Sequence, residues 1–208
     1  TTGGDTMSII DISRDIARCS VYPGDPETHI EAVSRMADGA GCNLAKISMG
    51  LHNGTHADAP LHFVEDGDSI DKVDLDRFFG ECVVIEVEPG PITGEYVEEN
   101  FPNEERILVK SMGRAWFLES AATELALRGI KLIGTDALSV GTKGDQVAPH
   151  RAFLTQNIGI LESLKLDNVK PGRYFLSALP LKIGAAEASP VRAVLIDSYI
   201  FWGGSNNT

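Results

Sequence analysis

Three of the five histidines fall within eleven residues, in the run His52-Asn-Gly-Thr-His56-Ala-Asp58-Ala-Pro60-Leu-His62. A divalent cation needs neutral imidazoles and carboxylates brought together, and a short segment does that at small entropic cost. Nitrogen and oxygen ligands without thiolate suit a catalytic Zn²⁺ or Mn²⁺ with an open position rather than a closed structural zinc. His52 and His56 have the i, i+4 spacing of a helical metal pair. Gly54 and Thr55 are poor helix formers, however, and Pro60 pushes Ala59 towards extended geometry. The reading is a strand end running into a loop, with Asp58 able to bridge two ions. The other reading of the same residues is a hydrogen-bonded structural turn.

The elements that must position these groups are mostly short and β-branched-rich. Strands are expected at Ile9–Ile12, Leu44–Leu51, Cys82–Val87, Ile107–Lys110, Lys131–Gly134, Ile158–Leu161, Tyr174–Ala178 and Val191–Ile196. One helix is expected from Glu119 to Arg128, ending at Gly129. A second is expected from Pro149 to Asn157, with proline at a first helical position. Strands outnumber helices without regular alternation, so the fold class is α/β or α+β: one domain with a mixed β-sheet and few helices.

Composition narrows the function. The chain has 208 residues, 43% hydrophobic and 23% charged, which suffices for a packed core and argues against disorder. Its formal net charge of −12 repels phosphate backbones and anionic lipid, so neither nucleic acid nor a membrane is an expected partner. The strongest apolar run, Phe78 to Val87, is interrupted by Gly80, Glu81 and Glu86 and is too short for a helical span. Residues 1–7 carry no signal-peptide pattern and read as a flexible or appended lead-in. Cys19, Cys42 and Cys82 are odd in number and widely spaced, which fits neither a disulfide framework nor a four-thiolate zinc site. A reducing cytoplasm is expected, with Cys82 a buried thiol. Gly141-Thr-Lys-Gly-Asp145 lacks phosphate-loop spacing and reads as a turn. His29 reads as a surface residue, Trp202 as a packing or subunit-contact side chain, and Asp136 and Ser139 as shaping a turn rather than lining a pocket.

The string His52-x-Gly54-Thr55-His56-x-Asp58-x-Pro60-x-His62 resembles the signature of the cyclase-type metal-dependent hydrolases. The resemblance extends through Asp11-Ile-Ser, Tyr22-Pro-Gly-Asp-Pro26, Gly134-x-Asp136-x-x-Ser139, Ala178-Leu-Pro-Leu-Lys-Ile183 and Ser189-Pro-Val-Arg-Ala193. It implies a swivelling β/β/α-type fold over residues 8–204 and a homodimer or homotetramer. It implies one ion held by His52, His56 and Asp58, and a second held by Asp58, His150 and Glu162. From the residues alone, His150 would read as a surface helix position and Glu162 as a solvated strand end.

The same resemblance implies hydrolysis of a small-molecule amide by metal-activated water, with His62 as proton shuttle to the leaving nitrogen. An arylformamidase converting N-formylkynurenine to kynurenine and formate is implied foremost. Hydrolysis of cyclic amides such as isatin, or of lactones, is the alternative; cyclisation or a non-catalytic metal-binding role comes after. The family's formamidases carry tryptophan before Pro-Gly-Asp, against the aromatic substrate, where this chain has Tyr22. Tyrosine can still stack on an aryl ring.

Overall fold

The computed structural model describes residues 8–197. The expected lead-in and Trp202 lie outside the described residues. In chain order the elements are β1 (Ser8–Asp11), β2 (His29–Ser34), β3 (Leu44–Ser48), β4 (His56–Asp58), β5 (Phe79–Glu86), β6 (Gly90–Ile92), α1 (Gly94–Asn100), β7 (Arg106–Lys110), β8 (Ala115–Phe117), α2 (Glu119–Leu127), β9 (Leu132–Thr135), α3 (Val147–Leu154), β10 (Gly159–Glu162), β11 (Gly172–Ser177), β12 (Ala188–Pro190) and β13 (Val194–Asp197).

One nine-stranded sheet runs β1-β13-β11-β5-β7-β9-β10-β4-β12. Its centre, β5-β7-β9-β10, is parallel, and antiparallel strands extend it on both sides. Successive strand residues point to opposite faces, and here they sort into two cores. Leu108, Leu132 and Leu161 join Phe78, Leu176 and Leu195 on one face. Ile107, Val109, Ile133 and Ile160 join Val97, Phe117, Leu125 and Phe153, the side chains of the three helices and β8, on the other. Burial on both faces explains why the central strands read as continuous apolar runs. β6 and β8 form a small parallel pair, and β2 and β3 a separate antiparallel hairpin.

The expected α2 ends where foreseen, with Gly129 at φ +71° just past its cap. The second expected helix is displaced. It starts at Val147 and stops at Leu154, so Pro149 is the third helical residue, still within the first turn, where no intrahelical N–H bond is lost. Arg173 apart, β11 is buried between Tyr174 and Leu176, as Cys82 is in β5. β3 falls within the expected strand Leu44–Leu51, whereas its hairpin partner β2, the short strands β4, β6, β8 and β12 and helix α1 were not foreseen. Among the described residues no helix is long and apolar enough to cross a membrane.

Candidate metal centre

The histidine-rich run folds as a turn leading into a strand, the reverse of the expected strand end leading into a loop. Residues 52–55 make the turn, β4 follows, and Pro60–His62 forms a single 3-10 turn with proline at its start. β4 lies between β10 and β12, with His56 opposite Glu162 and Asp58 opposite Ile160. Directly opposed residues of antiparallel strands share a face. Ala57 therefore enters one core, while His56, Asp58 and Glu162 look towards the helices. There α3 presents His150, its fourth residue, which is buried.

The intervening residues hold this geometry. Gly54 sits at φ +68°, and a Cβ there would lie 2.8 Å from the Ile16 side chain, so only glycine fits without displacement. Thr55 is fully enclosed. Its hydroxyl donates to Ser163 O at 2.7 Å and accepts from Arg14 N at 2.9 Å, tying the start of β4 to the end of β10 and to the N-terminal loop. Neither role could be read from residue type alone.

Asp58 is the hub. Its Oδ1 is 3.1 Å from His52 Nδ1 and 3.4 Å from His56 Nε2, and its Oδ2 is 3.6 Å from His150 Nε2. Glu162 bridges the same two rings, with Oε2 3.3 Å from His56 Nε2 and Oε1 3.1 Å from His150 Nε2. Two groups offer donor atoms lying within 4.8 Å of one another: His52, His56 and Asp58, and Asp58, His62 and His150. Asp58 belongs to both.

The chemistry of the donor set fits a divalent cation. Five buried side-chain atoms among the described residues lack a hydrogen-bond partner, and four are His52 Nε2, His56 Nε2 and both Asp58 oxygens. His56 Nε2 and Asp58 Oδ1 lie in ion-pair range of each other without hydrogen-bond alignment, Asp58 Oδ2 faces His150, and His52 Nε2 faces Glu187. Buried polar atoms are rarely left so, because each costs about 1–3 kcal/mol. A cation among them would satisfy His56 Nε2 and both carboxylate oxygens together.

Electrostatics points the same way. Burial disfavours charge on all these groups, yet the carboxylates hold the pKa values of His56 and His150 above the ordinary histidine value. For His52, burial is likewise overridden by the close contact and charge of Asp58, with Glu162 and Glu187 adding, and the pKa rises to about 9. Burial alone would raise Asp58 and Glu162; the surrounding imidazoles instead keep both below the usual carboxylate range. His62 behaves differently. Burial first, and the charges of His52 and His150 next, hold it below the ordinary value against the pull of Asp58 and Glu162.

The structure thus brings His52, His56, Asp58, His62, His150 and Glu162 together. His62 stacks on His52 with centroids 4.1 Å apart and stands within ligand reach, in the group where Glu162 was expected. Tyr22 is half-buried and begins a turn closed by Asp25 N to its carbonyl at 3.0 Å, with Gly24 at φ +105°. Asp136 accepts from Ser111 N, Ser111 Oγ and Gly113 N, so it braces the segment after β7 rather than its own turn, and contrary to expectation it lines a cleft together with Arg14. Ser139 Oγ accepts from Gly141 N, and His29 is exposed. One carboxylate was missed altogether: Glu187, whose Oε1 is 3.5 Å from His52 Nε2.

Comparison with known proteins followed the same lines. The family model described as "Putative cyclase" matches residues 10–142. A kynurenine formamidase of Erythrobacter litoralis is 40% identical over 189 residues, 84% of this chain and 87% of that protein. A kynurenine formamidase of Delftia acidovorans is 39% identical over 206 residues, 91% of this chain and 98% of that protein. A solved structure described as a potential metal-dependent hydrolase with cyclase activity superposes with a TM-score of 0.82 at 28% identity, covering 94% of this chain and all of the other.

Proposed function

The chain belongs to the cyclase family, and from that premise we propose that it is a metal-dependent amide hydrolase, an arylformamidase converting N-formylkynurenine to kynurenine and formate. The observation that carries the reading is the set of unpartnered buried atoms on His56 and Asp58, with His52 Nδ1 3.1 Å from the same carboxylate. The two relatives described as kynurenine formamidases support the substrate.

His52, His56 and Asp58 would hold one ion, and Asp58, His150 and Glu162 a second; the nitrogen and oxygen donors suit zinc foremost and manganese next. Such an ion would lower the pKa of a bound water to roughly 7 and polarise the scissile carbonyl. His56 and His150 are fixed for this by Nδ1–H bonds to Gly54 O at 2.8 Å and Gln146 O at 2.6 Å, which leave Nε2 directed inward. Water adds to the formyl carbon, the C–N bond breaks, and the aryl nitrogen leaves with a proton. His62 carries that proton. It sits half-buried beside the cluster on a short turn, stacked on His52. Tyr22 takes the aryl ring.

The protein is further proposed to act in the cytoplasm as a homodimer or homotetramer. The exposed apolar side chains Ile30, Val33, Met36, Leu44 and Ile47 on and beside the β2–β3 hairpin support the assembly, which sedimentation velocity tests. The test of function is formate release from N-formylkynurenine by metal-depleted protein, with and without added Zn²⁺ or Mn²⁺. Metal-restored turnover with kcat/KM above about 10⁴ M⁻¹s⁻¹ is expected. Metal binding without formate release would overturn the substrate, and isatin-like amides and lactones would then be assayed. Absence of metal binding would overturn the mechanism.

A further inference from the structure

The inward histidines are not all held alike. His56 and His150 direct Nδ1 at main-chain carbonyls, which fixes their tautomers and aims Nε2 at the carboxylates. His52 is turned the other way. Its Nδ1 faces Asp58 Oδ1 at 3.1 Å, and its outer nitrogen, Nε2, is buried with no hydrogen-bond partner. The carboxylate beside that nitrogen is Glu187, with Oε1 at 3.5 Å.

Glu187 is held in place by the strand it serves. Its carbonyl accepts from Ala59 N at 2.9 Å, and the next residue, Ala188, opens β12 opposite Asp58. The backbone of Glu187 is therefore fixed opposite Ala59, the residue after the central carboxylate, while its side chain, 40% exposed, reaches back to the His52 ring.

We propose that Glu187 is the positioning residue for His52, accepting the hydrogen bond of Nε2–H so that Nδ1 keeps its lone pair and its aim at the position a cation would share with Asp58. Glu187 then does for His52 what Gly54 O and Gln146 O do for the other two rings. A carboxylate in this role also makes the ring a stronger donor than a neutral acceptor does. The inference rests on the metal reading given above and assigns to it a residue outside the family signature.

The test titrates metal-free wild type, Glu187→Gln and Glu187→Leu with Zn²⁺ against a competing chelator, and follows the visible spectrum of the Co²⁺-loaded proteins. Glu187→Leu should bind about 10–100-fold more weakly and show altered Co²⁺ bands. Glu187→Gln, which retains an acceptor, should fall between the two in both readouts. The metal-free melting temperatures should match closely, because the removed carboxylate is partly exposed. Equal Zn²⁺ affinity in Glu187→Leu and wild type would overturn the proposal. So would a loss of metal-free stability in step with the loss of affinity, which marks a structural role. Wild type that binds no Zn²⁺ would instead overturn the metal reading itself.

Discussion

Replacing Thr55 by valine tests whether a residue inside the signature serves geometry rather than chemistry. Valine keeps the shape and the β-branch but removes the hydroxyl, which has two buried bonds, 2.7 Å to Ser163 O and 2.9 Å from Arg14 N. The buried carbonyl of Ser163 and the half-buried N–H of Arg14 would both lose their partner. At about 1–3 kcal/mol for each stranded group, the loss is about 2–6 kcal/mol. For a domain of this size each kcal/mol shifts Tm by about 2–4 °C, so a fall of about 4–24 °C is expected by calorimetry of the metal-free protein. Thr55→Ser is the control: it keeps both bonds, loses one methyl, and should cost about 1 kcal/mol. Ser163 follows Glu162 and Thr55 precedes His56, so the valine variant should also bind Zn²⁺ more weakly. A valine variant melting within about 1 °C of wild type, or a serine variant as unstable as the valine one, would refute the reasoning.

His62→Ala should slow formate release on the order of 10²–10⁴-fold with metal content intact by elemental analysis; an equal loss of metal would place His62 among the ligands, as its proximity to Asp58 and His150 allows. A Cβ on Gly134 would stand 2.5 Å from Leu108 Cδ2 and 2.9 Å from Leu164 Cδ1. Gly134→Ala should therefore destabilise by about 1–3 kcal/mol in urea unfolding, and an unchanged midpoint would show that the core gives way freely. Burial pushes the Cys82 thiol up to about 12, whereas Cys42 is exposed. Iodoacetamide at pH 8 should label Cys42 and leave Cys82 unmodified until the protein is denatured, as read by mass spectrometry of the peptides.

What could be read from the sequence follows from burial. β7, β9 and β10 are enclosed on both faces, so their composition announces them, and α2 carries its own stop at Gly129. β4 does not announce itself, because two of its three residues are the polar groups His56 and Asp58, turned inward. β12 contains Pro190, and α1 is seven mostly polar residues that begin with glycine. The signal for α1 was its cap, Thr93, whose hydroxyl accepts from Tyr96 N at 3.1 Å. His52, His56, Asp58 and His62 declared themselves by clustering in the chain. His150 and Glu162 became candidates only through the family resemblance, since their proximity is created by α3 lying over β10. Glu187 carried no local signal at all: strand pairing at the far edge of the sheet brings it to His52.

Metal binding and folding should be coupled through the same unpartnered atoms. In the metal-free state, Asp58 and Glu162 are buried carboxylates whose neighbouring imidazoles must carry protons to balance them, an arrangement that returns little net stability after desolvation. A cation that binds the folded site and not the unfolded chain adds RT ln(1 + [L]/Kd), about 4.1 kcal/mol at a thousandfold excess over Kd. That corresponds to a rise in Tm of about 8–16 °C, and each further tenfold in free Zn²⁺ adds about 1.4 kcal/mol, or about 3–5 °C. Differential scanning fluorimetry in chelator-buffered Zn²⁺ reads this slope directly. Asp58→Ala, which removes the group common to both donor sets, should abolish the slope, whereas His62→Ala should keep it if His62 carries protons rather than metal. A wild-type Tm that stays flat as free Zn²⁺ rises over three decades would mean that the orphaned nitrogens and oxygens are satisfied by protons alone, and the hydrolytic reading would fall with the metal.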